Sequence, residues 1–157
     1  MNLDYLNIYN NLIKLTRNKK LYVNLERNDE FSDRLIFLMF HFALFLKNYK
    51  SQISKKKSQE LFDFFIRQIE LSIREIGYGD VSVNKKMKEY VNLFYSILDK
   101  IETQNFKQIE NLNIFFKNLL NTDKNIEFYA DYFQKYDQYL LNNTLNHFTK
   151  DIINPIF

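Results

Sequence analysis

The chain has 157 residues, of which 46% are hydrophobic and 26% charged, and a net charge of +3. These values suit one globular domain over residues 1–157, able to bury roughly 70% of its unfolded surface without a disulfide or metal. The absence of cysteine excludes thiolate catalysis, disulfide frameworks and Cys-type zinc sites, and the modest charge does not by itself suggest nucleic acid.

One proline and two glycines leave few breakers, which argues for an all-helical build. The start Met1-Asn2-Leu3-Asp4 shows neither a signal-peptide pattern nor an Arg- and Ser-rich presequence. The expected location is therefore the cytoplasm, or that of a mature domain stripped of its leader. Tyr5, Ile8, Tyr9, Leu12 and Ile13 form the apolar stripe of a first helix. Lys19 to Asp29 reads as polar and irregular, anchored by Leu21, Tyr22 and Leu25. Leu35 to Leu46 is apolar all round and is expected as the central buried helix, capped by Ser32 or Asp33. As a helix it spans about 18 Å, short of a hydrocarbon core of ~30 Å. His41, at its middle, reads as a hydrogen-bonded core residue, since no second haem ligand stands nearby in sequence.

Asn48 to Lys57 reads as a joining loop. Its Lys55-Lys56-Lys57 run is a solvated segment or a phosphate contact, and Ser58 is the expected N-cap of the next helix. That helix, Gln59 to Ile76, places Phe62, Phe65, Ile66, Ile69, Ile73 and Ile76 on one face. Beside them runs a charged stripe of Glu60, Asp63, Arg67, Glu70 and Arg74, in which Asp63–Arg67 and Glu70–Arg74 are acid-first pairs. Both glycines of the chain follow, as Gly77-Tyr78-Gly79-Asp80. Gly77 falls where a left-handed residue would end the helix, and Gly79-Asp80 supplies a turn and a cap for the next one. Lys85, Lys86 and Lys88 then crowd the expected start of that helix, where the macrodipole favours acids.

The fourth helix, Ser82 to Ile101, is expected to bury Val83, Met87, Tyr90, Val91, Phe94, Leu98 and Ile101. A fifth runs from Asn105 to Leu120, and Asn121-Thr122-Asp123 marks a turn. A sixth carries on from Lys124 to near Thr149, before a tail ending Pro155-Ile156-Phe157. The fold expected is all-α, with about six helices around the apolar one. Sixteen Phe and eleven Tyr fall mostly on core faces, so they read as core rather than as a base-stacking platform.

The run Leu61-Phe62-Asp63, then Arg74-Glu75-Ile76-Gly77-Tyr78-Gly79-Asp80-Val81-Ser82-Val83, then Lys85 or Lys86, Lys88 and Phe94-Tyr95, resembles the ubiquinol–cytochrome c chaperone family. That family includes mitochondrial assembly factors for respiratory complex III and smaller alphaproteobacterial relatives. Asp33-Arg34-Leu35 is similar to its Asp-Arg-Phe entry, and the likeness runs clearly from Leu21 to Leu98. Ile76 stands where the family has Met, and Ser96-Ile97 where it has Gly-Arg. The resemblance implies a non-enzymatic chaperone that shields newly made cytochrome b, with no cofactor. It implies a partner-binding face of Arg74, Glu75, Tyr78, Asp80, Lys85 and Lys88 around a structural corner of Gly77 and Gly79. On this reading the intervening apolar positions are explained by packing. The partners implied are cytochrome b or a small co-chaperone, with the ribosome and a peripheral contact on the inner membrane as secondary candidates, and no DNA.

Enzyme signals are lacking. There is no His-Glu-x-x-His or Glu-x-x-His ligand pair, no Gly-rich phosphate loop after a strand and no nucleophile elbow. The alternative function is a helical ribosome- or RNA-binding module using Lys55, Lys56, Lys57, Lys85, Lys86 and Lys88.

Overall fold

The apolar run becomes a helix longer than itself. α3 (Phe31–Tyr49) buries every residue from Phe37 to Leu46, because it is apolar on all sides and packs on all sides. The computed structural model describes residues 3–103 and 108–155. Around α3 stand α1 (Tyr5–Thr16), α2 (Lys19–Val23), α4 (Lys55–Ile76), α5 (Asp80–Thr103), α6 (Ile109–Leu120), α7 (Ile126–Leu141) and α8 (Leu145–Lys150), with a 3₁₀ turn at Lys50–Gln52. No strand occurs among the described residues, so the chain is all-α. No described helix is long and apolar enough to cross a membrane.

Four phenylalanines of α3 reach four directions. Phe37 stacks on Tyr129 of α7 with ring centres 5.5 Å apart. Phe40 meets Phe116 of α6 at 4.8 Å and Phe133 of α7 at 4.4 Å. Phe42 stacks on Phe65 of α4 at 4.0 Å and on Phe94 of α5 at 5.4 Å. Phe45 meets Phe148 of α8 edge-on at 5.3 Å. Aromatic pairs of this kind add about 0.5–1.5 kcal/mol each beyond the area they bury.

The eight helices among the described residues exceed the six expected for two local reasons. Lys19–Val23 is a short helix rather than irregular chain: Asn18 accepts from the Lys20 amide at 3.1 Å and buried Leu21 holds it down. The expected sixth helix breaks at Asn142-Asn143-Thr144, where Thr144 caps α8 by accepting from the His147 amide at 3.3 Å. The Asn105 start of the expected fifth helix and Ile156-Phe157 of the tail lie outside the described residues.

Two caps and two faces differ from expectation. Ser54, not Ser58, caps α4 by accepting from the Lys57 amide at 3.2 Å, so Lys55-Lys56-Lys57 forms the first turn of a helix rather than a loop. Neither Ser32 nor Asp33 caps α3, whose cap position is Glu30 without a side-chain bond. Asp33 is buried instead and grips Arg27 through two hydrogen bonds. Ile97 replaces Met87, Tyr90, Val91 and Leu98 among the fully buried residues of α5, and Ile109 of α6 is exposed.

Most polar groups inside the core are paired, the Thr149 hydroxyl being an exception. Asn11 of α1 donates to the carbonyls of Phe148 and Asp151 at 2.9 Å each and accepts from the Ile153 amide, pinning the end of α8. His41 is fully buried as expected. Its Nδ1 lies 2.6 Å from the Phe37 carbonyl and its Nε2 lies 2.9 Å from the Tyr132 hydroxyl. Burial holds its pKa down at about 3, against the pull of the Phe37 carbonyl.

Two measurements check this core. Phe40→Ala should destabilise the domain by about 3–5 kcal/mol in urea unfolding, the cost of an aromatic cavity that cannot collapse. His41 is neutral in the fold but titrates near about 6.5 when unfolded, so its contribution is complete above that pH. It is lost as pH falls toward about 3, with a slope approaching ~1.4 kcal/mol per pH unit. A His41→Gln variant should lack that part of the slope when unfolding is compared at about pH 7 and about pH 5.

Candidate functional site

The corner between α4 and α5 is built by one glycine and one arginine. Gly77 has φ +108°, the left-handed conformation that ends a helix, and its amide donates to the Arg74 carbonyl at 3.0 Å. Gly79 does a different job from the one expected. Its φ is not in the left-handed region, and its carbonyl accepts the Val83 amide at 2.9 Å, opening α5 at Asp80. The Asp80 carboxylate does not cap the helix but turns back to Arg74.

Arg74 thereby joins the two helices. It bonds Asp80 across the corner and Glu70 at 3.1 Å one turn back, and Glu70 also takes Arg67 at 3.0 Å. The Asp80 and then the Glu70 hydrogen bonds raise the Arg74 pKa, and those from Arg67 and Arg74 lower that of Glu70. Arg67 thus pairs with Glu70 rather than Asp63, which accepts from Gln59 instead. Arg74 and Asp80 are occupied with each other, as a clasp.

The other site residues point outward. Tyr78 is 43% exposed, with the Lys86 ammonium 4.7 Å from its ring centre, a cation–π contact. Glu75, Lys85 and Lys88 are exposed, and the two lysines hold no ion pair among the described residues. Because α5 opens at Asp80, these lysines lie beyond its first turn, and the expected conflict with the dipole is not there. Packing explains only part of the intervening apolar set: Val83 is fully buried, but Ile76 is 52% exposed and Val81 is 86% exposed. The corner therefore shows water three apolar side chains, Ile76, Tyr78 and Val81, ringed by charge.

Glu75 and Ile76 also line a half-open groove of about 480 Å³ between α1, α2, α3 and α4. Its walls are Tyr9, Ile13, Tyr22, Phe31, Leu38 and Ile69, and Arg17 and Arg34 stand at its rim. The sequence gives no local sign of it, since the walls come from four elements. Lys55–Lys57 and Lys85–Lys88 are not one surface. Lys55–Lys57 opens α4, whereas Lys85–Lys88 lies past the first turn of the antiparallel α5, roughly 20–25 Å away at 1.5 Å per residue.

The ubiquinol–cytochrome c chaperone family model matches residues 24–127. The chain belongs to that family. No curated protein and no solved structure matches it. The family is one of non-enzymatic assembly factors, acting for the ubiquinol–cytochrome c complex. The matched stretch holds α3, α4, the corner, α5 and α6. Where relatives are expected to carry the arginine of Gly-Arg, this member of the family has Ile97, fully buried in the core, so no charged group stands there.

The corner's geometry has a direct test. Gly77→Ala meets no atom within 4 Å, so its cost is the positive φ alone, about 1–2 kcal/mol. Gly79→Ala has neither a clash nor a positive φ to contend with, and should melt close to wild type.

Proposed function

We propose that this assembly chaperone holds newly made cytochrome b, or a small co-chaperone, through the outward face of the corner. The exposed trio Ile76, Tyr78 and Val81 carries the reading. Apolar side chains left in water beside unpaired lysines suit a surface covered by another protein, because the apolar centre supplies affinity and the charged rim selects the partner. Arg74, Asp80 and Gly77 fix the shape on which that trio is shown. Glu75, Tyr78, Lys85 and Lys88 make the contact.

The client is a membrane protein, so the chaperone meets it peripherally at the inner membrane from the cytoplasmic side. The family assignment lends no support to the RNA-binding alternative, whose lysines fall in two separate clusters.

Charge reversal at Lys85 and Lys88 leaves the clasp untouched. A Lys85→Glu, Lys88→Glu variant should melt as wild type does, yet lower assembled complex III in cells that lack the native copy. Adding Val81→Asp should deepen the loss. Normal assembly in the triple variant would sink the reading, and a collapsed melt would make these residues structural.

A further inference from the structure

The groove that begins at Glu75 and Ile76 does not end at Arg17. Arg17 is shared with a second depression of about 310 Å³, between the end of α1, the start of α2 and the segment after α8. Its lining includes Lys14, Arg17, Asn18 and Lys20, and contains no carboxylate. Lys14, Arg17 and Lys20 are all exposed, and none holds an ion pair among the described residues. Arg34, across the apolar groove, is by contrast already paired with Asp29 at 3.3 Å. The C-terminal end of the α1 dipole accounts for a cation at Lys14 and at Arg17. It does not account for Lys20, in the first turn of α2, or for the lack of any acid in this second depression, since Glu75 meets Arg17 only on the side of the apolar groove.

We propose that the two joined depressions are a docking site for a partner-protein segment that is apolar along one side and acidic at one end. The apolar side would lie over Tyr9, Ile13 and Ile69, and its carboxylates would meet Lys14, Arg17 and Lys20. This rests on the chaperone reading only in taking the occupant to be a protein. The apolar groove itself favours a peptide over an acyl chain. Glu75 stands exposed in its wall, where a hydrocarbon tail would cover the carboxylate without offering a donor, whereas a peptide brings its own amides. Charge complementarity at the basic end sets the direction of the bound segment.

Two synthetic peptides test it against the purified full chain by fluorescence anisotropy. Both carry the same helical Leu/Phe stripe; one ends in glutamates and the other in lysines. The glutamate peptide should bind at least about tenfold tighter, as three exposed charge contacts allow. A Lys14→Gln, Arg17→Gln, Lys20→Gln variant should erase that preference, and Ile13→Asp should weaken both peptides. Equal binding of the two peptides, or a preference that survives the triple variant, overturns the proposal. So does the opposite pattern, in which phosphatidylglycerol vesicles or a single-stranded oligonucleotide bind through the same three cations and the peptides do not. Lys85→Glu, Lys88→Glu should leave the glutamate peptide bound as before, so failure here and failure of the corner reading are separate results.

Discussion

The interdigitation of α3 with its neighbours is the constraint on which the other elements depend. A helix apolar on every side cannot be stable in water, so its neighbours must cover it, and Phe37, Phe40, Phe42 and Phe45 fix where α4 to α8 lie. Phe42 is the arm that matters for function. It holds Phe65 of α4 and Phe94 of α5 against the same ring, so the two helices run back along each other and must be joined by a tight reversal. The corner is the consequence of that stacking, and Gly77 is the residue that lets a 22-residue helix stop short enough to make it.

Tyrosines then serve as the mortar of the fold. Tyr22 donates to the Thr16 carbonyl at 2.6 Å, Tyr49 to Leu140 at 2.6 Å and Tyr129 to Leu21 at 2.6 Å. Each bond reaches a carbonyl at or near a helix end, the groups that a helix itself cannot satisfy. Burial raises the pKa of all three phenols, those of Tyr22 and Tyr49 to about 12, so they stay protonated donors throughout the physiological range. The aromatic-rich core thus closes carbonyls at helix ends, while the side chains of Asp4, Asn18, Ser54 and Thr144 cap the amides at helix starts.

Much of this was legible in the sequence, and the misses have physical causes. Strong periodicity located α1, α3, α4 and α5, and the scarcity of glycine made the Gly77 stop readable at one residue. α2 is too short to show a helical period, so its lysines read as loop. The break before α8 did carry a signal, since Asn142-Asn143-Thr144 is a helix stop followed by a cap. Ser58 was read as the cap, but the Lys57 amide is taken by the Ser54 hydroxyl, so the helix begins one turn earlier, at Lys55. At the site, the corner residues were readable because they are contiguous. The groove was not, because Ile13, Leu38 and Ile69 meet only after three helices have packed.

The lysines show why placement decides meaning. Lys85 and Lys88 looked costly while they were assigned to a first turn, and a cost without structural benefit invites a functional explanation. In the fold the unfavourable first turn belongs to Lys55-Lys56-Lys57, a turn that contains no acidic residue, a penalty of about 0.3–1 kcal/mol each at low salt that the Ser54 cap offsets by about 1 kcal/mol. The electrostatic argument therefore moves to the far end of α4 and leaves the corner. What remains at the corner is a different kind of cost: Val81 and Ile76 held in water although neighbouring positions bury their apolar residues completely. Scattered exposed apolar residues need no explanation, but three within six residues on a clasped, rigid turn form a patch. The weight of the functional reading thus rests on apolar exposure, with the lysines as its selective rim.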